Sequence, residues 1–239
     1  VIDSVQDLYV VANDSARTPS GLVTLGLVPG VSGPCAVRLY DVIQAQYPEI
    51  KLQIYEGYSG AMEQAVTDGV VDLAVTNRYR SLGKNHYATL LEVPMCLVAR
   101  PEVMRRHLAE QMSGKALPLS LSPAAMGKLP MVLPTAPNAL LNIIHDLETQ
   151  MGFKVNDVLS STSPWVLQHM LIEHDCAALL PAHSMIKDIR AGRLQAIRVR
   201  GQSLTQHVAL EISPKRTFSE ASRVVANLLR ELPDWLLQE

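Results

Sequence analysis

Apolar and polar positions along this chain fall into short blocks of alternating period. Leu22 to Leu27 is an apolar strand pattern running into a loop, Val28-Pro-Gly-Val-Ser-Gly-Pro34. Val37, Tyr40, Ile43 and Tyr47, flanked by Leu39 and Val42, then recur at helical spacing. They predict a helix with Pro34 at its first position, those residues on its buried face, and a stop at Pro48. Lys51 to Glu56 reads as a second strand and Gly57-Tyr-Ser-Gly60 as its loop. A short helix follows, with Ser59 as expected N-cap and Gly69 as C-terminal stop, and Val70 to Thr76 is the third strand. The order is β-α-β-α-β, with each strand feeding a polar or Gly-rich loop. In an open parallel sheet, ligands sit beyond the carboxyl ends of the strands.

A second αβ series follows. Glu92 to Ala99 is a strand ending at Arg100-Pro101, and residues 102–130 read as irregular because Pro118, Pro123 and Pro130 interrupt them. Met131 to Leu133 is a short strand, Pro137 to Met151 an amphipathic helix stopped at Gly152, and Val155 to Ser160 strand-like. Ser163-Pro164 opens a helix through His174, and Cys176 to Leu180 is a buried strand ending at Pro181. A short helix near 184–191 precedes strands at Leu194 to Val199 and Gln206 to Ile212. Thr217 to Glu220 matches a capping box for a last helix over about 218–232. At the other end, Ile2, Val5, Tyr9 and Ala12 share one face of a helix over residues 2–12, either a seam for a partner helix or a face packed on its own domain.

The final strand and helix have no companion unit, so their simplest packing is against the first sheet. The expected organisation is therefore linker over 1–18, a discontinuous first subdomain over 19–100 plus 204–239, and a second subdomain over 101–203. That arrangement implies a cleft and a two-strand hinge.

Composition narrows the function. Of 239 residues, 48% are apolar and 18% charged, as in a globular protein with a real core. The net charge of -2 offers no basic field for nucleic acid. No apolar run reaches the roughly 20 residues of a membrane span. The start shows no signal-peptide pattern, and it begins at Val1, as a processed or partial chain would. Three widely spaced cysteines, Cys35, Cys96 and Cys176, argue against a disulfide framework and for a reducing, cytoplasmic compartment.

The candidate ligand contacts sit where strands end. Pro29, Gly30, Val31 and Ser32 follow the first strand, where Gly lets backbone N–H groups approach a ligand and the helix N-terminus favours an anion. Gly57, Tyr58 and Ser59 follow the second strand, and Thr76, Asn77 and Arg78 end the third. The second series contributes Thr135, Asn138, Ser161, Thr162 and Ser163. The ordinary alternative for each Ser, Thr and Asn is capping and turn chemistry. Enzyme readings are weaker. Gly57-Tyr-Ser-Gly-Ala61 lacks the last glycine of a nucleophile elbow, and His169 and His174 lack a zinc-helix spacing. No nucleotide motif is present, and no cofactor or metal is expected. The nine methionines read as core filler.

These residues resemble the effector-binding domain of LysR-type transcriptional regulators. The resemblance is carried by Gly21-Leu-Val-Thr-Leu-Gly-Leu27, the helix ending at Tyr47-Pro48, Leu52-Gln-Ile-Tyr-Glu-Gly57 and Gly69-Val-Val-Asp-Leu-Ala-Val75. Val93 to Arg100, Leu133-Pro134 and Leu179-Leu-Pro181 fall where that family has similar strands, and the similarity runs from about residue 19 to the end. It implies a periplasmic-binding-protein-like (type 2) α/β fold of two Rossmann-like subdomains with a hinge. It also implies a small effector, anionic by the strand-end chemistry above, bound in the cleft, and dimers or tetramers. DNA would be bound only through a winged helix-turn-helix outside this chain. The family often has Gly-x-Gly before its Leu-Pro, where this chain has His174 and Cys176. It often has a cation one turn into the helix after Leu133-Pro134, where this chain has Leu141. The alternative of a transporter's solute-binding protein shares the fold.

Overall fold

The computed structural model describes residues 18–79, 87–112, 116–201 and 204–238. The helix expected over 2–12, and the linker apart from residue 18, lie outside the described residues. The chain divides into two compact units, Val1–Glu92 with His207–Glu239, and Val93–Gln206.

The first unit starts with β1 (Gly21–Leu27), α1 (Ser32–Gln46), β2 (Ile50–Glu56), α2 (Ser59–Asp68) and β3 (Leu73–Arg78). The chain then enters β4 (Tyr87–Ala99), a 13-residue strand longer than the Glu92–Ala99 segment expected from sequence. The unit boundary falls inside β4, after Glu92, whereas the sequence placed it after residue 100. The second boundary falls after Gln206 rather than after residue 203. Both differences arise because continuous strands, not loops, carry the chain across.

The second unit adds α3 (Pro101–His107), β5 (Ser120–Leu121), β6 (Pro130–Leu133), α4 (Ala139–Met151), β7 (Asn156–Ser160), α5 (Pro164–Glu173), β8 (Ala177–Pro181), α6 (Ile186–Arg190) and β9 (Gln195–Val199). The chain returns to the first unit through β10 (Thr205–Ile212), followed by α7 (Glu220–Leu228) and α8 (Leu232–Gln238).

In the first unit β1 lies between β2 and β3, parallel to both, and β10 runs antiparallel beside β3, with Glu211 opposite Ala74. Asp72 locks β1 to β3. Its Oδ2 accepts from Thr24 N (2.7 Å) and Thr24 Oγ1 (2.6 Å), while its own N–H donates to Thr24 Oγ1 (2.9 Å). Ser213, just past β10, donates its N–H to the Asp72 carbonyl (2.9 Å) and its hydroxyl to the Val66 carbonyl (2.8 Å). The C-terminal end of the returning strand is thus tied to Asp72 and to α2.

Helix α1 buries Ile43 and Leu39 as expected, together with Cys35, but leaves Val37 57% and Tyr40 62% exposed. A free cysteine packs as a small hydrophobe, so an i, i+4, i+8 stripe through Cys35 sets the phase. The helix also begins two residues before Pro34, at Ser32. Helix α2 is capped by Tyr58 without a side-chain bond, not by Ser59, while Gly69 adopts φ 74° as its stop. At α7 the capping hydroxyl is Ser219, bonded to Ser222 N, rather than Thr217. The single expected last helix is interrupted by a 3-10 turn at Leu229–Glu231 before α8, whose second residue is Pro233.

In the second unit β4 is flanked by β8 and β9, both antiparallel to it, and β6 and β7 extend the sheet in parallel from β8. The expected irregular stretch after residue 101 contains α3. Pro101 sits at its N-terminus, where a missing N–H costs nothing, and Val103, Met104 and Leu108 are fully buried. Met95, Met104, Met126 and Met131 are likewise fully buried, as core filler should be.

His183, in the turn after β8, is held neutral by burial, its pKa lowered to about 4. Folding therefore stabilises the neutral imidazole. That contribution is complete above the ordinary pKa of about 6.5 and is lost as pH falls from 6.5 toward 4. Urea unfolding at pH 7 and pH 4.5 should show wild type losing about 2 kcal/mol more than His183→Gln over that interval. Equal losses would show that His183 is not held neutral by the fold.

Candidate functional site

The loops after β1, β2 and β3 form the strand-end rim of the first unit. After β1, Gly30 takes φ 91°, a left-handed turn open to glycine, and delivers Val31 as the N-cap of α1. Val31 is buried, and α1 has no acidic residue in its first turn. Ser32 Oγ donates to Glu56 Oε2 at the end of β2. Tyr58 follows closely, and its phenol pKa is raised by burial and then by the Glu56 charge. Glu56, which the sequence reading did not single out, thus bonds Ser32 and carries a charge felt by Tyr58.

Ser59 Oγ accepts from Asn77 N (2.9 Å), tying the start of α2 to the end of β3. Asn77 is half-buried, and its Oδ1 is enclosed without a hydrogen-bond partner. Thr76 is turned inward: it is fully buried and donates through Oγ1 to Glu211 Oε1 (2.6 Å). Arg78 donates to the same Glu211 oxygen (2.8 Å) and lies 3.7 Å from Glu63. Glu63 has its pKa raised, first by burial, against the lowering effect of Arg78, with Glu211 adding to the rise.

In the second unit, Asn138 is the side-chain cap of α4, its Oδ1 accepting from Leu140 N (2.9 Å) and Leu141 N (3.3 Å). Ser161 Oγ accepts from Ser163 N (3.0 Å), Ser163 caps α5 through Val166 N, and Thr162 is exposed. Thr135 is set apart from these turns: it lines a cavity of about 370 Å³ beside α4 and β7. Strand-end polar residues thus have several fates. Ser32 is bonded to Glu56, Ser59 to the Asn77 backbone and Thr76 to buried Glu211, and Asn138 and Ser161 are engaged with local backbone.

A family model described as the LysR substrate binding domain matches residues 16–234. The chain belongs to this family. Among similar proteins is the HTH-type transcriptional regulator BbuR of Bordetella bronchiseptica, 25% identical over 193 residues. That match covers 80% of this chain and 56% of BbuR, so the chain spans about half the length of its curated relative. The regulatory domain of Synechocystis PCC6803 CcmR in complex with 2-PG has a TM-score of 0.70 at 14% identity, over 88% of this chain and 96% of that one. A sulfate-bound mutant of the OxyR2 regulatory domain from Vibrio vulnificus has a TM-score of 0.63 at 17% identity, over 92% and 100%. The fold is that of type 2 periplasmic-binding-protein-like regulatory domains. The LysR assignment makes this a ligand-sensing domain rather than a transporter's solute-binding protein.

Among the described residues of this LysR domain, the candidate catalytic groups are engaged in other contacts. Ser59 Oγ is paired with a backbone amide, and His169 pairs with Glu173 (2.9 Å) and packs edge-on against Trp165. Among the described residues, no group of three His, Cys, Asp or Glu side chains is placed to hold a metal. The thiols are poor nucleophiles, because burial raises Cys35 to about 12 and Cys176 to about 11.

Sequence reasoning missed Glu56 and Glu211. Glu211 had a legible signal: it is the one charge inside the apolar run Val208 to Ile212. A charge in a strand predicted to be buried demands a partner.

Thr76→Val keeps the shape and removes the donor to Glu211. It should destabilise the LysR domain by about 1.5–3 kcal/mol in urea unfolding. An unchanged unfolding midpoint would place the hydroxyl outside the buried network.

Proposed function

We propose that this LysR domain senses a small anionic effector and passes its bound state to DNA through the DNA-binding part of a longer, cytoplasmic, oligomeric regulator. The family match over residues 16–234 carries the reading. The curated relative, about twice as long as the matched segment, is an HTH-type regulator.

The proposed contacts in the first unit are Gly30, Val31, Ser32, Tyr58, Ser59 and Asn77. Those in the second are Thr135, Ser161 and Thr162. Chemistry supports an anion at the first rim: α1 is a 15-residue helix whose first-turn amides carry partial positive charge with no acidic side chain in that turn. The sulfate bound to the OxyR2 relative is an anion held by the same fold. Glu56 already occupies the Ser32 hydroxyl, so an incoming carboxylate competes with an internal one. An effector that binds two conformations unequally, by about 1–3 kcal/mol, biases their populations several-fold to a hundredfold.

A thermal-shift panel of small carboxylates, phosphates and sulfate should find at least one stabilising anion. For that anion, Ser32→Ala should weaken binding about tenfold by removing a charge-assisted hydrogen bond. Glu56→Gln should tighten it several-fold by removing the competing charge. No stabilisation by any anion, or anion binding indifferent to both substitutions, would overturn the proposal.

A further inference from the structure

The cavity beside α4 and β7 has a chemistry opposite to that of the first unit's rim. Its volume is about 370 Å³, within the lower range of small-ligand pockets. Leu133, Leu141, Ile144 and Val155 give it an apolar wall, and two of its polar lining groups are the carboxylates of Glu148 and Asp157.

Glu148 is the decisive residue. Its side chain is only 9% exposed. Oε1 accepts from Val155 N at 2.8 Å. Oε2 has Lys154 Nζ at 3.8 Å, but that ammonium is 87% exposed and well hydrated. With Lys154 so exposed and 3.8 Å away, that pair offsets only part of the cost of burying Glu148. A buried carboxylate is costly unless it is paired and hydrogen-bonded. Asp157, in β7, accepts from Ser160 Oγ through Oδ2 (3.1 Å) and adds a second negative charge to the same wall. The pocket therefore has apolar walls and two carboxylates, with the imidazole of His145 as its other titratable lining group, which leaves a surplus of acceptor charge. What would complete it is a cation bearing N–H donors on a small apolar body. A bare metal ion is disfavoured, since no three-member ligand set exists among the described residues.

We propose that this pocket is a second ligand site, taking a small organic cation, a primary ammonium or guanidinium on a short apolar skeleton. Glu148 and Asp157 receive the cationic head, and Leu141, Ile144 and Val155 pack the body. The pocket lies wholly within the second unit; it shares Thr135 with the proposed effector contacts but not Ser32, so Ser32→Ala separates the two readings.

Calorimetric titration of the whole domain with benzylamine tests it, with benzyl alcohol and benzoate as shape-matched neutral and anionic controls. Benzylamine should bind at least tenfold tighter than either control. Glu148→Gln retains an acceptor for Val155 N and should weaken benzylamine binding about tenfold. Asp157→Asn, at an exposed position, should weaken it about threefold and decides the matter if Glu148→Gln does not fold. Ser32→Ala should leave benzylamine affinity unchanged. The proposal is overturned if benzylamine does not bind, if either control binds as tightly, or if the folded variants bind like wild type.

Discussion

The carboxylate of Glu211 is fully buried and accepts hydrogen bonds from Thr76 and Arg78, and the first unit depends on that arrangement. The unit is discontinuous: β10 reaches it only after the whole second unit has been traversed. Apolar contacts alone would hold β10 in the sheet with little discrimination of register, because a strand whose inner residues are Val208, Ala209 and Leu210 can pack in more than one alignment. A single charged residue that must meet a single cation removes that freedom. Burying both charges is expensive, and their attraction offsets the cost only when geometry is close and remaining lone pairs are filled. Here the Thr76 hydroxyl supplies the extra donor.

That constraint reaches the rim. Thr76, Asn77 and Arg78 are consecutive, with the first and third committed to Glu211 and the backbone N–H of the middle one committed to Ser59. The end of β3 is thereby pinned from both sides, and the start of α2 with it. A rim that is held this way presents Ser59 and the loop after β1 in fixed positions, which lowers the entropy lost on binding a ligand. The carboxylates near the two candidate sites then set what each accepts. Under the proposed function, Glu56 at the first rim would compete with an anion for Ser32. Glu148 and Asp157 in the second unit's cavity invite a cation.

The order of strands and helices was readable because period 2 and period 3.6 patterns alternate cleanly and glycines or prolines separate them. What misled were residues whose role is decided at long range. Cys35 set the phase of α1 although a cysteine carries little weight in an apolar stripe, and Val37 and Tyr40 were left exposed. Pro101 read as the end of a strand and is also the start of α3. Thr76 looked like a ligand contact because it ends a strand, but its partner lies 135 residues away. Asn138, also expected as a ligand contact, caps α4 through bonds that reach only two and three residues ahead, the ordinary alternative for such a residue. Local chemistry could be read from neighbours, while the Glu211 network exists only once distant segments meet, and the cavity beside α4 only once β6, α4 and β7 have packed.

The most direct test of this account is a double-mutant cycle on the buried pair, with Arg78→Met, Glu211→Leu and the double variant compared by urea unfolding. Each single substitution should cost about 3–5 kcal/mol, because it removes the nearest opposite charge of a buried group (Arg78 keeps Glu63 only at 3.7 Å), and the double variant should recover most of that loss. Single substitutions that are nearly neutral, or losses that simply add in the double variant, would contradict the claim that the Glu211 pairing holds the returning strand in place.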